Sequence, residues 1–261
     1  METNHYELWT RCRTFVAEVC ADRDASHGLA HMEKVTENAL LLLHMQHGTA
    51  VNLTVLIPRV ILVAMLHDVA DHKYDSTNVL QQRVRQFVGE EATALLSSSS
   101  STTTTTTTTS TSVMTAEEVQ QYTLTAIEAI SFSKEKSRGR RWFEDLLPAE
   151  WLIVRDVVSD ADKLEAIGAD GLRRCLLYTK HAMLEKERQM AKEDSMLLKQ
   201  EQEEKEKCCL QNVKTHFEEK LALLSTEYIV TTAGKFLATP KHMEMVKELQ
   251  EWELHGLPSL T

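Results

Sequence analysis

Apolar residues recur at intervals of three and four positions along most of the chain, which is the spacing of one face of an α-helix. The first such face runs from Leu8 to Val19. A second runs from Leu29 to Leu43, with Ser26 as the predicted N-cap and Gly48 as the predicted end. The pattern therefore predicts two amphipathic helices at the start of the chain.

The longest apolar run, Val60 to Leu66, follows Pro58, a residue that favours the first turn of a helix. Periodicity alone would also allow a buried strand, but the proline and the lack of alternation favour a helix that is buried on all sides. The run is far too short to span a bilayer. A fourth amphipathic helix is predicted over Leu80–Val88.

Residues 97–112 are only serine and threonine, so this tract has no apolar side chains to bury and predicts a disordered surface loop. An insertion tolerated at the surface is the simplest account of the tract, with a phosphorylation target as the alternative. Immediately afterwards, Thr115 and Glu118 have the spacing of a capping box and predict the start of the next helix.

The second half of the chain again reads as helix. Beyond Pro148 the pattern predicts two helical pieces around a polar centre at Asp160–Lys163. Residues 181–207 are charged on nearly all sides and predict a solvated helix or a flexible insertion.

Amphipathic helix returns near the end of the chain, where Phe217, Phe236 and Met243 are predicted to lie on apolar faces. No internal repeat is visible and no firm boundary divides the chain. The sequence therefore predicts one all-α domain over residues 1–261, with the Ser/Thr tract and the charged stretch as additions to it.

Composition limits the class of protein. Eight glycines and four prolines in 261 residues are few, which favours helices, and 43% apolar residues suffice for a core. The formal net charge of −10 argues against broad binding to nucleic acids or anionic membranes. Five cysteines without paired spacings suit a reducing compartment, and the first residues lack the apolar segment of a secretory signal. We therefore expect a soluble, cytoplasmic protein.

Histidines and aspartates stand at apolar or helix-end positions, where burying them is costly unless they are paired. His67 and Asp68 directly follow the buried run, and His31 lies on the apolar face of the second helix. Asp160 and Asp162 bracket one alanine in another apolar stretch. Imidazoles and carboxylates together suit Mn, Fe, Co, Ni or Zn better than Ca or Mg. Taken singly, each residue is more often a hydrogen-bonded core side chain or a helix cap.

Taken in order, His31, His67-Asp68 and Asp162 resemble the H…HD…D pattern of the HD-domain superfamily of metal-dependent phosphohydrolases. Longer stretches resemble the motifs of a small bacterial branch of HD nucleotide pyrophosphohydrolases. These stretches are DASHGLAHMEKVTENA, AMLHDVADHKY, AIEAISFSK, SDADKLEAIGADGLRR and NVKTHFEEKL followed by TTAGKFLA. The resemblance covers nearly the whole chain apart from the Ser/Thr tract and residues 181–207, and five motifs in one order are far more specific than any single motif.

The resemblance implies an all-helical HD-domain bundle that holds one divalent metal ion. Manganese is the first expectation, with cobalt, nickel, iron, magnesium or zinc as alternatives. The implied ligands are His31, His67, Asp68 and Asp162. Asp160 competes for the fourth place, although the register of the A-D-x-L stretch favours Asp162.

The resemblance also implies groups that act on the substrate. Asp71 follows Asp68 by three residues, where related HD nucleotidases carry an acid that handles the proton of the attacking water. His27 is expected on the same helical side as His31, where it would contact the substrate or the leaving group. The implied substrate-binding residues are Lys73, Lys163, Lys134 and Asp160.

The implied activity is hydrolysis of (deoxy)nucleoside triphosphates to monophosphate and pyrophosphate. The branch carries aspartate where this chain has Gly28, a difference expected to affect substrate range or rate. A nucleoside monophosphatase or a phosphodiesterase is the alternative within the superfamily, and a metal-stabilised helical scaffold is the alternative from another class. Asp71 and Lys73 favour an enzyme, because a scaffold has no use for a water-handling acid beside a phosphate-facing cation. The expected partner is a small phosphorylated molecule, and a homodimer stays open.

Overall fold

The computed structural model describes residues 3–23, 27–48, 52–71, 75, 77–99, 114–190 and 200–258. Within these residues the chain is helical and contains no β-strand, which confirms the all-α prediction. The α-helices are α1 (Thr3–Val19), α2 (Leu29–His47), α3 (Leu53–Leu66), α4 (Val79–Ser99), α5 (Ala116–Ile130), α6 (Phe132–Arg138), α7 (Ala149–Ala166), α8 (Ala169–Met190), α9 (Gln200–His216) and α10 (Thr232–His255). A 3₁₀ turn, Glu144–Leu146, precedes α7, and two π-helical turns, Phe217–Leu221 and Leu224–Tyr228, separate α9 from α10.

Contacts divide the chain into two compact units, Met1–Ala161 and Asp162–Thr261. In the first unit, α3 packs against α1, α2 and α5. Every residue of its run Val60–Leu66 is fully buried, which confirms the prediction of a helix buried on all sides. The same core contains Leu8, Cys12 and Val16 of α1 and Val84 and Val88 of α4. The residues that directly precede His67 and Asp68 are therefore buried in the core of this unit.

The start of α3 differs from the sequence prediction. The helix begins at Leu53, after Asn52 in an extended conformation, so that Pro58 lies inside the helix and not in its first turn. A proline has no N–H to donate to the carbonyl four residues earlier. Here that carbonyl belongs to Thr54, an exposed residue near the helix N-terminus, so water can take the place of the missing donor.

The start of α2 also differs. Gly28 is its N-cap, with φ of −94° and ψ of −171°, and no side chain caps the helix. The prediction of Ser26 as N-cap is therefore wrong, and Ser26 itself lies outside the described residues. His27 consequently precedes α2 and does not share a helical face with His31. The end of the helix is as predicted, because Gly48 follows it with φ of +41°.

The Ser/Thr tract begins inside a helix. Ser97–Ser99 form the last residues of α4, so the predicted loop does not start at residue 97. Residues 100–112 lie outside the described part of the chain. The capping box that follows is confirmed, because Thr115 Oγ1 accepts from the Glu118 N–H at 3.2 Å and Glu118 Oε2 accepts from the Thr115 N–H at 2.8 Å.

The break between the two helical pieces predicted after Pro148 lies later than expected. Asp160–Lys163 are inside α7, and the chain breaks at Gly168, whose φ of +90° suits glycine. Gly171 opens α8 so close to α7 that a Cβ there would lie 2.1 Å from the Ala166 carbonyl oxygen. Both glycines of the A-I-G-A-x-G stretch are thus explained by the backbone that joins α7 to α8.

In the second unit, α8 packs against α9 and α10. The described parts of residues 181–207 are helical and belong to α8 and α9, while residues 191–199 lie outside the described chain. The predicted apolar face of α10 is wrong, because Phe236 is 71% exposed and Met243 is 62% exposed. The residues that α10 buries are instead Ala233, Gly234, Ala238, Met245, Leu249 and Trp252.

The boundary between the units falls inside α7, between Ala161 and Asp162, and the prediction of a single domain stays a prediction. Among the described helices, none combines the length and the apolar character that crossing a membrane requires.

Candidate metal centre

His67 stands at the C-terminal end of the buried helix α3, where the last backbone carbonyls have no partner within the helix. Its Nδ1 lies 2.8 Å from the Ala64 carbonyl oxygen. A carbonyl oxygen only accepts, so Nδ1 carries the proton and donates, and Nε2 keeps the lone pair that a metal ion would bind. This is the arrangement by which metal-binding histidines are usually held in one tautomer and one orientation.

Two further side chains approach His67. His31 occupies the first turn of α2, and its ring centroid lies 5.3 Å from that of His67. Asp162, on α7, completes a group in which one ligand atom from each of the three residues lies within 4.8 Å of the others. All three side chains are half-buried, which leaves one side of the group accessible.

The group fits a divalent transition ion. Donor atoms bonded at about 2.1 Å to one ion lie about 3 to 4.2 Å apart, so small rotations of the three side chains would place all of them on a single ion. Two imidazole nitrogens and a carboxylate oxygen are donors that Mn, Fe, Co, Ni and Zn accept, whereas Ca and Mg prefer oxygen alone. Three protein ligands also leave coordination positions for water and substrate.

The two other candidate ligands lie outside this close group. Asp68 is half-buried in the turn that follows α3. Asp160 is fully buried on α7, two residues before Asp162. Of the two aspartates that compete for the last place, Asp162 belongs to the close group, and the choice between them as a ligand stays a prediction.

The candidate substrate residues have different surroundings. Asp71 is half-buried at the end of the turn after α3, where its N–H donates to the Asp68 carbonyl at 3.3 Å. His27 is half-buried just ahead of α2. Lys163, next to Asp162, is only 2% exposed. Lys73 lies outside the described residues, so its predicted role stays a prediction.

Lys134 lies at the surface in an ion pair with Glu128, with 3.1 Å between Nζ and Oε1. Burial raises the pKa of Glu128, but the hydrogen bonds and charges of Lys134 and Arg138 outweigh it and hold the pKa below its usual 4.5. The backbone of Lys134 is also held, because its N–H donates to the side chain of Ser131, the N-cap of α6. A phosphate bound at Lys134 would therefore have to compete with a carboxylate already in place.

A buried ion pair on α7 was not predicted from the sequence. Arg155 is fully buried, Glu135 is 1% exposed, and Arg155 Nη2 donates to Glu135 Oε2 at 2.7 Å. Arg155 also donates to the Ala129 carbonyl from Nε and Nη2, at 3.1 and 2.8 Å, and to Asp156 at 3.0 Å. The pair thus ties α7, the helix that carries Asp162, to the end of α5 and to α6. A cation inside the apolar stretch WLIVRDVV was the signal that could have revealed it.

Two side chains outside the motifs hold the turns around the candidate ligands. Asp75 is 7% exposed and accepts from the N–H groups of Leu80 and Gln81 at 3.1 and 2.7 Å, which caps the start of α4 with a negative charge. Arg23 donates to the backbone carbonyls of Asp68 and Val69. The Arg23 interaction leaves no recognisable spacing in the sequence, because its partners are 45 and 46 residues away.

Comparison by sequence gives one viral relative. No protein-family profile matches the chain. The uncharacterised protein L803 of Acanthamoeba polyphaga mimivirus is 28% identical over 185 residues, which are 70% of this chain. The match covers 66% of the viral protein, just under two thirds of its length.

Solved structures with low sequence identity share the fold. A Lactobacillus plantarum protein is 22% identical, with a TM-score of 0.58 over 97% of both chains. An HD-superfamily hydrolase of Bacillus thuringiensis is 21% identical, with a TM-score of 0.55 over 95% of this chain and 96% of its own. Bacillus subtilis YpgQ, in a complex with ADP, is 18% identical, with a TM-score of 0.52 over 98% of this chain and 97% of its own. The predicted resemblance to the HD-domain superfamily is thus confirmed in the fold.

Proposed function

We propose that the protein is a divalent-metal-dependent phosphohydrolase that acts on nucleotides. The observation that carries the proposal is the meeting of His31, His67 and Asp162 within 4.8 Å of one another. The shared fold with an HD-superfamily hydrolase supports the same reaction class. A scaffold would need the ligands but not the acid and the lysines that accompany them.

The proposed ligands are His31, His67 and Asp162, with Asp68 as the fourth. Asp68 directly follows His67, so a rotation of its side chain is the change that would bring its carboxylate to the ion. Manganese is the proposed ion, because the mixed nitrogen and oxygen donors suit it and leave positions open for substrate oxygens.

A bound divalent ion lowers the pKa of a coordinated water and polarises a phosphoryl oxygen. The chain's own residues would do the remaining work. Asp71 would accept the proton of the attacking water, a role that its half-buried position at the end of the turn after α3 allows. Lys163 and Lys73 would balance phosphate charge, with Lys134 farther out, and His27 would contact the leaving group. The family resemblance also proposes Asp160 as a substrate residue, a role that its fully buried side chain could fill only after a local rearrangement.

The proposed reaction is conversion of a (deoxy)nucleoside triphosphate to its monophosphate and pyrophosphate. YpgQ, which shares the fold, was crystallised with ADP, and a nucleotide is therefore the first substrate class to test. All five cysteines are free thiols, which suits the reducing cytoplasm that we propose as the site of action.

Product analysis tests the proposal directly. Purified protein is incubated with Mn²⁺ and a panel of nucleoside mono-, di- and triphosphates and cyclic dinucleotides. Pyrophosphate plus monophosphate from triphosphates supports the proposed reaction, whereas orthophosphate from monophosphates indicates a monophosphatase. Hydrolysis only of cyclic dinucleotides indicates a phosphodiesterase. Metal binding without turnover of any substrate would contradict the enzyme and favour a scaffold.

Substitution of His67 and Asp68, the two residues that directly follow α3, tests the proposed metal centre. His67→Ala and Asp68→Ala should each remove bound metal and nearly all hydrolysis, because each deletes a proposed ligand. The matched control is His44→Ala on α2, since His44 makes a similar bond from Nδ1 to the Leu40 carbonyl at 2.8 Å but is exposed. Full metal content and activity in His67→Ala would end the metal-centre proposal.

A further inference from the structure

Arg23 lies in the segment that connects α1 to α2, and its guanidinium reaches the turn after α3. Nη1 donates to the Asp68 carbonyl at 2.7 Å, and Nη2 donates to the Val69 carbonyl. These are successive carbonyls of one turn, and a planar guanidinium can bind both at once because its N–H groups diverge like a fork. These two bonds are directed at the backbone of the turn.

The acceptors of Arg23 belong to the part of the turn that the proposed chemistry uses. The Asp68 carbonyl also accepts the N–H of Asp71, at 3.3 Å. Val69 is fully buried, and a carbonyl at such a position is costly to leave without a donor. A positive charge at the end of a helix also complements the negative end of the α3 dipole. One side chain thus holds the carbonyls of Asp68 and Val69, and the Asp68 carbonyl is the one that also accepts the Asp71 N–H.

Arg23 also connects the two parts of the chain that supply the histidines. It stands four residues before His27 and eight before His31, whereas its acceptors directly follow His67. The N-cap of α2 is Gly28, which has no side chain to cap the helix. The distance between His31 and His67 depends on how these two segments are held.

We propose that Arg23 is a positioning residue of the metal centre, which sets the spacing between the His31 segment and the His67-Asp68 turn. This inference rests on the proposed metal-dependent function. It predicts that loss of the guanidinium loosens the ligand geometry, so that an ion binds more weakly to a chain that is still folded. Loss of a residue that orients a metal ligand without touching the ion typically weakens metal binding by tenfold or more, and we expect an effect of about tenfold here.

The test is Mn²⁺ titration of the metal-free full-length protein by calorimetry, with helical content measured in parallel. Arg23→Met should bind Mn²⁺ about tenfold more weakly. Arg23→Lys should fall between it and the wild type, because an ammonium reaches one carbonyl but lacks the fork. The matched control is Arg11→Met, since Arg11 makes a similar fork to Glu91, at 2.7 and 2.8 Å, between α1 and α4.

The outcomes separate this inference from the proposed function. Weaker Mn²⁺ binding in both Arg23 variants, with Arg11→Met within about twofold of wild type, supports the inference. Wild-type affinity in the folded Arg23 variants overturns it and leaves the proposed function standing. Equal losses in Arg11→Met and Arg23→Met also overturn it, because general destabilisation would then explain both. If Arg23→Met does not fold, Arg23→Lys decides by the same comparison. A wild-type protein that binds no divalent ion overturns both proposals.

Discussion

Replacement of Arg155 by methionine tests how firmly α7 is held. Arg155 is fully buried, and its charge is matched by Glu135, which is 1% exposed, at 2.7 Å. Methionine fills a similar volume but carries no donor, so Arg155→Met leaves the Glu135 carboxylate in the interior without its closest partner. It also removes both donors to the Ala129 carbonyl.

The expected cost is large because a buried charge cannot recover its hydration. Removing one partner of a buried ion pair typically costs about 3 to 5 kcal/mol of folding free energy. For a chain of this size, 1 kcal/mol corresponds to roughly 2 to 4 °C in melting temperature, so Arg155→Met should melt roughly 6 to 20 °C below wild type. Arg140 Nε, 3.3 Å from Glu135 Oε1, is partly exposed and offers only limited compensation.

Thermal and urea unfolding, followed by circular dichroism, measure the effect. The control is Arg83→Met, which breaks an ion pair of the same length, 2.7 Å to Glu18, between side chains 41% and 67% exposed. Exposed pairs contribute about 0 to 1 kcal/mol, so the control should stay near wild type. The double variant Arg155→Met with Glu135→Leu should be more stable than Arg155→Met alone, because no carboxylate is then stranded.

Two results would refute this reasoning. An Arg155→Met protein within about 1 kcal/mol of wild type would mean that Glu135 is hydrated or neutral in the folded chain. A double variant less stable than the single one would mean that the remaining contacts of Glu135, with Arg140 and with the Arg141 N–H at 3.3 Å each, matter more than its stranded charge.

Three further predictions follow from local features. Burial, with Lys220 adding to it, lowers the pKa of His216 below 6.5, so protons bind more readily to the unfolded chain and stability should fall as pH drops below 6.5. His216→Gln should flatten that slope in urea unfolding between about pH 7.5 and about pH 5.5, and an unchanged slope would contradict the assignment. Thr115→Ala should cost about 1 kcal/mol in the same assay by removing the cap of α5, with no loss if the capping box is dispensable. Deletion of residues 100–112 should leave melting temperature and Mn²⁺ affinity close to wild type, and a large loss of either would show that the tract is structural.

Periodicity identified the helices well wherever one face is buried. Helix α2 is an example, because Val35, Ala39 and Leu42 recur at helical spacing and are all fully buried. It failed on α10, where Phe236 and Met243 are large and regularly spaced but mostly exposed. Burial there goes instead to Ala238, Met245, Leu249 and Trp252, which recur at helical spacing on a different face from the predicted one.

Helix starts were harder to predict than helix ends. Gly48 ends α2 as expected, because glycine readily adopts its positive φ. The N-cap of α2 is Gly28, so the usual signal of a capping side chain is missing there, and Asn52 stands at the N-cap of α3 without making a capping hydrogen bond. Pro58 was misleading for a different reason. A proline is also tolerated beyond the first turn of a helix when the carbonyl that loses its N–H donor is exposed to water.

The residues of the candidate site also fall into those that the sequence predicts and those that it does not. His31, His67 and Asp162 could be predicted because their order and spacing form a recognisable pattern, and the structure brings those three together. Arg23 could not, since its partners are backbone carbonyls at least 45 residues away without any sequence signature. Arg155 stands out as a cation in an apolar stretch, but its partner Glu135, 20 residues away, could not be identified from the sequence. What orients a site is therefore less visible in a sequence than what forms it.

The burial of α3 has a consequence for the order of assembly. Seven consecutive fully buried residues lead directly to His67, and each large apolar side chain among them contributes about 1.5 to 3 kcal/mol by leaving water. Small zinc-binding domains must wait for their ion before they can fold. Here the burial of the hydrophobic core suffices to position the helix and its terminal imidazole without an ion. Under the proposed function, metal binding would then follow folding, and the amount of metal-loaded protein would depend on the supply of ions and not on the folding rate.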